Sequence, residues 1–311
     1  MIYFPGKRYY FGYKLNANEN FFSTSKNIIF LVKIIAKNFE KLKFYPDSDN
    51  FYFTQIISKI YDLKKEEIFI CNGSDEGLFF LFFLFKNFKI KIPKISYPFY
   101  NVYSNFNKIY TKKIKYKKII NFNNIVFPSP NSPYGIFFKK KEIIKKINKK
   151  NFIIIDEAYC EFYNMGYTKY ININNNLIIV KTLSKSFSLA GSRIGIIFSN
   201  ERIIKKLNFI KHCFNSYTID TINNLIGIES IKDSNYLYYK MQKNNFFKLL
   251  LNFFFEKKNE GNFICIPKNI DFYFYFSKKY FFFRNYNSLL RITISNYFIL
   301  KKIIKNYFLW S

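Results

Sequence analysis

The feature that most constrains this chain is the alternation that runs from Ile68 to Asn208. Short apolar runs, Ile68 to Cys71, Lys89 to Ile92, Asn124 to Phe127, Asn151 to Ile155, Leu177 to Val180 and Ile196 to Phe198, read as strands. Between or after them, Gly77 to about Phe88, Lys139 to Lys150 and Glu201 to Lys211 read as helices. Strands that take turns with helices call for an α/β domain with a mainly parallel sheet.

The residues that close these strands carry the chemistry. After Leu177 to Val180 the chain continues through Ser184 and Lys185 to Arg193. A lysine at a strand end sits in a partly desolvated place that favours the neutral amine, as a Schiff-base lysine requires. Ser184 and Arg193 offer a hydroxyl and a guanidinium to a phosphate. Ile68 to Cys71 leads into Gly73, Ser74 and Asp75, a turn whose following helix presents free N–H groups and the positive end of a dipole, a second phosphate donor set. Asn124 to Phe127 leads to Asn131, held between Pro130 and Pro133 so that its amide points one way. Asn151 to Ile155 ends at Asp156 and, three residues on, Tyr159, a carboxylate and a phenol at the mouth of a buried strand.

The run VKTLSKSFSLAGSRIG, from Val180 to Gly195, closely resembles the cofactor-lysine motif of fold-type I pyridoxal-phosphate aminotransferases, and among them the histidinol-phosphate aminotransferase family. Asn72-Gly73-Ser74-Asp75-Glu76, Asp156-Glu157-Ala158-Tyr159 and Leu290-Arg291-Ile292-Thr293 match further motifs of that family in order, so the resemblance spans almost the whole chain. It implies a mainly parallel seven-stranded sheet flanked by helices in a large cofactor-binding domain, residues 31–217. Residues 1–30 and 218–311 would form a smaller α+β domain that closes on the substrate.

For the residues, the resemblance implies pyridoxal 5'-phosphate bound covalently to Lys185. Gly73, Ser74, Asp75, Ser184 and Arg193 would hold its phosphate end, and Asp156 would pair with the pyridine nitrogen. Asn131 and Tyr159 would bond the ring oxygen, and Tyr100 would stack on the ring. Tyr45, in Tyr45-Pro46-Asp47, would reach the cofactor phosphate of a neighbouring subunit in a homodimer. Asn18, in the N-terminal segment YKLNANEN, would line the substrate pocket with Asn131, and Arg284 and Arg291 would bind substrate anions. Lys185, Asp156 and Tyr159 are the catalytic set. The implied reaction interconverts histidinol phosphate plus 2-oxoglutarate with imidazole acetol phosphate plus glutamate; an aromatic amino acid aminotransferase of the same fold is the alternative. The loop PNSPYG departs from the family's PNNPTG at Ser132 and Tyr134, and Ser295 replaces the usual glycine after L-R-I-T-x.

Composition adds boundaries. Forty-two Phe and 27 Tyr against ten Gly and one Trp reflect a coding sequence pushed toward A and T. A net charge of +30 is spread in short lysine clusters with no compact arm, which reads as a solvated basic surface rather than a nucleic-acid or membrane site. Four scattered cysteines and one histidine, His212, give no metal or disulfide spacing. The N-terminus has no apolar signal core and Leu78 to Phe85 is far too short to span a membrane, so a cytoplasmic protein is the expectation. In the C-terminal part, Ile219 to Ile231 and Tyr236 to Lys257 read as helices and the aromatic run Asp271 to Ser277 as a buried strand.

Overall fold

The computed structural model describes residues 9–37, 39–145, 152–163, 166–256, 259–286 and 288–310. Its strands are β1 (Tyr13–Leu15), β2 (Ile68–Asn72), β3 (Ile90–Pro93), β4 (Thr111–Ile114), β5 (Ile125–Pro128), β6 (Ile153–Asp156), β7 (Leu177–Thr182), β8 (Ile194–Phe198), β9 (Phe263–Pro267), β10 (Phe281–Asn285) and β11 (Leu289–Thr293). The seven from β2 to β8 form one sheet in the order β2-β8-β7-β6-β5-β3-β4. All neighbours are parallel except those of β8, which runs against both β2 and β7.

Isoleucine-rich runs form this sheet because both of its faces are covered, so an uninterrupted apolar strand has nowhere polar to point. In β6, Ile153 and Ile155 enter one core while Ile154 enters the other; in β7, Leu177 and Ile179 divide in the same way from Ile178 and Val180. The strand β4, TKKI, escaped the sequence reading. It is an edge strand with Lys112 and Lys113 exposed, a composition that blunts unwanted pairing and conceals the pattern.

Helices differ from expectation mainly at their ends. The helix after β2 is Gly73–Leu84, so the glycine-serine turn is its first turn rather than a leader. The helix expected over Lys139 to Lys150 is seen as Lys140–Ile144, and its remainder from 146 lies outside the described residues. Lys26–Lys37 matches an apolar stripe that reads as a helix over roughly Lys26 to Phe39, Thr221–Lys232 and Ser234–Phe254 agree with the reading to within a few residues, and Phe51–Tyr61 and Phe99–Phe106 are additional. Ile226, Ile228 and Ile231 of Thr221–Lys232 belong to the core beneath the large sheet.

The second sheet has the order β1-β10-β11-β9, joining an N-terminal strand to three C-terminal ones. Here one expectation fails: Asp271 to Ser277 lies in a helix, Ile270–Lys278, not a strand. Asn269 caps it by accepting from the Phe272 N–H at 2.9 Å, and the side chains buried in it, Phe272 and Phe276, are four apart. A run with five aromatic residues in succession carries no contrast between periods of 2 and 3.6, so only packing decides.

Candidate active site

The parallel strands β2, β3, β5, β6 and β7 end on one edge of the large sheet, where ligands of open α/β sheets bind. The second sheet covers that edge, and a cavity of about 190 Å³ lies between. Lys185, Asp156, Tyr159, Ser74, Asp75, Ser184, Arg193, Arg284 and Arg291, spread over 218 positions of sequence, all reach its wall.

Asp156 is the last residue of β6 and is 5% exposed. Its Oδ2 accepts from the Tyr100 hydroxyl at 2.8 Å and its Oδ1 from the Ala158 N–H at 3.1 Å. Among the described residues it has no cationic partner. Burial therefore dominates and pushes its carboxyl up to about 6, although both hydrogen bonds oppose the rise.

Lys185 follows the end of β7 and donates from Nζ to the Ala17 carbonyl at 3.0 Å, with the Tyr159 ring 6.0 Å away. Burial, reinforced by the Arg291 charge, lowers its amine to about 8. A lysine in that range has an appreciable neutral fraction near neutral pH, which a nucleophile or proton acceptor needs.

Opposite Lys185 lies an anion cradle. Gly73, with φ +73°, starts helix Gly73–Leu84, and Ser74 and Asp75 occupy its first turn. Arg193 donates from Nη2 to Asp75 Oδ2 at 3.1 Å and from Nη1 to Ser184 Oγ at 3.4 Å, while Thr182 Oγ1 donates to the same Ser184 oxygen at 3.0 Å. A Cβ at Gly73 would lie 2.5 Å from Arg193 Nη2, and one at Gly195 would lie 2.5 Å from the Ser74 nitrogen. Both glycines are required by close approach.

Arg291, on β11, is 8% exposed with no carboxylate partner among the described residues. Nη1 donates to Ser132 Oγ at 2.8 Å and to the Tyr286 hydroxyl at 3.0 Å; Nη2 donates to the Asn16 carbonyl at 2.9 Å. Nε is buried without an acceptor. The fork has five N–H groups, so the unused pair is the Nε and Nη2 edge, which suits two oxygens of one anion.

Four expected residues sit elsewhere. Tyr100 is 1% exposed, stacked near Phe82 with its hydroxyl on Asp156; its place on the cavity wall is taken by Tyr97, three residues earlier in the loop before helix Phe99–Phe106, whose hydroxyl donates to Asp75 Oδ1 at 2.6 Å. Asn131 is fully buried behind the wall, its Nδ2 3.4 Å from the Ile95 carbonyl and its Oδ1 without a partner. Asn18 is also fully buried and donates to the Tyr159 hydroxyl at 2.9 Å, so it orients that phenol rather than lining the cavity. Tyr45 is 81% exposed, stacked on Tyr217 at 4.6 Å and away from the cavity.

The structure adds Asn16, Ala17, Tyr97, Thr182, Ser132 and Tyr286 to the wall. Thr182 and Tyr286 stand within three residues of site members, a signal a stricter reading could have used. Asn16 and Ala17 contribute backbone carbonyls, which no side-chain pattern reveals. Among the described residues no group of three His, Cys, Asp or Glu could hold a metal ion, and no helix is long and apolar enough to cross a membrane.

The chain is similar to known proteins over most of its length. The family profile "Aminotransferase class I and II" matches residues 12–280. A histidinol-phosphate aminotransferase of Clostridium botulinum (strain 657 / Type Ba4) is 40% identical over 236 residues, which cover 72% of this chain and 66% of the relative. The match thus spans just under two thirds of that relative's length. The crystal structure of the histidinol-phosphate aminotransferase from Clostridium acetobutylicum aligns with TM-score 0.82 at 23% identity, covering 94% of this chain and 97% of that one. That of the Sinorhizobium meliloti enzyme in complex with pyridoxal-5'-phosphate aligns with TM-score 0.79 at 17% identity, covering 93% and 88%. At such identities the structures share the fold.

Proposed function

From the premise that the chain belongs to the class I and II aminotransferases, we propose that it is a pyridoxal-phosphate-dependent aminotransferase acting on histidinol phosphate, with glutamate and 2-oxoglutarate as the other pair. The observation that carries the cofactor reading is Asp156: a buried carboxylate on the cavity wall with no cation beside it among the described residues. A protonated pyridine nitrogen is the kind of partner that such a group lacks, and the Ser74, Ser184 and Arg193 cradle suits the phosphate. When bound, pyridoxal phosphate supplies an electron sink for negative charge at the substrate's α-carbon.

The chain's own groups do the rest. Lys185 Nζ would hold the cofactor and, as a neutral amine, take the proton from the α-carbon. Asp156 would hold a protonated ring nitrogen, and Tyr159, oriented by Asn18, would supply its hydroxyl as a hydrogen-bond partner to the ring's oxygen substituent. Arg291 offers its Nε and Nη2 edge to the substrate's anionic group, with Arg284 on the neighbouring strand, directly opposite it in register.

Two further points support the reading of a homodimer. Helix Lys26–Lys37 buries Ile28 but leaves Ile29, Phe30, Val32 and Ile34 exposed, an apolar surface suited to a second copy. Tyr45 sits on the surface with Tyr217, placed to serve another subunit rather than its own cavity. If Lys185→Ala and Tyr45→Phe are each inactive, mixed subunits should regain activity; a fully active monomer overturns the dimer.

The test of function is a comparison of amino donors with the purified protein after incubation with pyridoxal phosphate. Histidinol phosphate should give a kcat/KM well above that of phenylalanine. The reverse order would assign the chain to aromatic amino acids instead.

A further inference from the structure

Behind the strand ends lies a buried ionic cluster that the chemistry above does not use. Lys181, one residue before the end of β7, places Nζ 2.9 Å from Glu157 Oε2, 2.9 Å from Glu161 Oε1 and 2.7 Å from Cys160 Sγ. Glu157 is fully buried, and its Oε1 accepts from the Tyr167 N–H at 2.5 Å. Glu161 turns its other oxygen, Oε2, to the Ser186 hydroxyl at 3.2 Å. Ser186 is fully buried and its carbonyl accepts from Asn20 Nδ2 at 3.1 Å.

Such a cluster is a poor source of stability, because desolvating three charges offsets their attraction and apolar replacements often do as well. It does fix geometry. Both carboxylates come from the segment that begins at Asp156, and the hydroxyl comes from the residue next to Lys185. One ammonium therefore ties together the two loops that carry the two central groups of the site. The Lys185 Nζ has only the Ala17 carbonyl as a hydrogen-bond partner among the described residues, so its direction depends on how its backbone is held. Of the charges that act on its amine, Arg291, Glu19 and Asp75 come from other segments and Arg193 from the far end of its own loop.

We propose that Glu161, gripped by Lys181 and acting through Ser186, is a positioning residue that holds Lys185 in register with Asp156 and keeps its amine inside the cavity. The proposal rests on the reading of Lys185 as the reacting amine. Without the Glu161 to Ser186 link the loop relaxes outward, the amine becomes better solvated, and its pKa rises back toward that of an ordinary lysine.

Two measurements on Ser186→Ala, Ser186→Thr and Glu161→Gln test this. The first is a spectral pH titration of the protein loaded with pyridoxal phosphate; the second is the pH dependence of Lys185 labelling by an amine reagent in cofactor-free protein, read by peptide mapping. Ser186→Ala should raise the labelling midpoint by about half a unit or more, roughly threefold in proton affinity, shift the spectral midpoint, and lower kcat more than it raises KM. Ser186→Thr, which keeps the hydroxyl, should restore all three, and Glu161→Gln should fall between. Wild-type midpoints in Ser186→Ala, or loss of thermal stability with unchanged midpoints in Glu161→Gln, would overturn the positioning role. If the loaded wild type shows no cofactor band, it is the cofactor reading that fails, and the labelling arm still decides the brace.

Discussion

Five strand ends of the large sheet each deliver a polar group to the cavity: Ser74 after β2, Ser96 after β3, Ser132 after β5, Asp156 on β6 and Lys185 after β7. The four-stranded sheet opposite delivers Arg284, Tyr286 and Arg291, and gives most of its remaining side chains to packing around Phe272, Phe276, Phe281 and Phe283. At the strand ends, chemistry fixes the residue: a carboxylate or an amine has no substitute of similar size. In the aromatic core, any large apolar side chain of suitable volume serves. A composition drifting toward Phe, Tyr, Ile and Lys could therefore rewrite the second region while leaving the first intact.

The largest expected effect tests the first half of that contrast. Lys185→Ala should lower turnover by several orders of magnitude while leaving the melting temperature near that of the parent, because the cradle and both cores remain. Borohydride reduction of the loaded parent followed by peptide mapping should place the label on Lys185; a label on another lysine would remove the centre of the proposed site. In the cofactor-free parent, labelling of Lys185 by an amine reagent should rise with pH as the amine loses its proton around 8.

Asp156→Asn sharpens the contrast by separating activity from stability. Loss of a fixed charge aimed at the reacting system should lower kcat by about 10²–10³. Stability of the cofactor-free protein should move the other way. Burial pushes the Asp156 carboxyl up to about 6 in the fold, against 3.8 for an ordinary aspartate, so the fold binds the proton more tightly than the unfolded chain does. Stability from this group is complete below 3.8 and is lost as pH climbs through 6, a difference of about 3 kcal/mol by linkage. Asn removes that loss, so cofactor-free Asp156→Asn should melt higher than the parent at pH 8 and no higher at pH 4. Equal melting at both would mean that Asp156 is already neutralised by a partner.

How far the sequence was legible follows the same division. Lys185, Asp156, Ser74, Ser184 and Arg193 were readable because each stands at a fixed offset from a strand that only one kind of sheet can bury. Tyr97 and Tyr100 were not separable, since two tyrosines three residues apart around a helix start look equivalent until packing sends one to the wall and the other beneath Asp156. Asn18 reads as polar and therefore as a surface or pocket residue, yet its φ of +54° and its bond to Tyr159 place it in the supporting layer. The run Asp271 to Ser277 failed as a strand because periodicity is a contrast and seven residues held five aromatics.

Phe276→Ala probes the second region. The side chain is fully buried, with ring centres of Phe272 at 4.4 Å, Phe283 at 5.4 Å and Phe281 at 5.5 Å. Truncation should cost about 3–5 kcal/mol in a denaturant titration, whereas Phe276→Leu should cost much less. Neither should change the spectral titration of folded, loaded protein; a shift there would show that the aromatic core does more than fill space.

Arg291 is where the comparison can break. It belongs to the aromatic lobe by position, yet it resembles the strand-end groups in being buried, charged and short of a counter-ion. Its Nη1 is committed to Ser132 and Tyr286, so the edge left for a substrate anion is Nε with Nη2, a planar pair that lysine cannot reproduce. Arg291→Lys keeps the charge and loses the fork. If that edge binds substrate, the loss should be about 1.5–3 kcal/mol, or roughly 10–100-fold in kcat/KM, for both histidinol phosphate and glutamate with cofactor affinity unchanged. A surface-like arginine would lose about 0–1 kcal/mol. Should Arg291→Lys instead lower thermal stability while both substrates are used as before, Arg291 is a buried strut bridging Ser132, Tyr286 and Asn16. The covering lobe would then contribute enclosure alone, and recognition would shift to Arg284 and the strand ends beneath it.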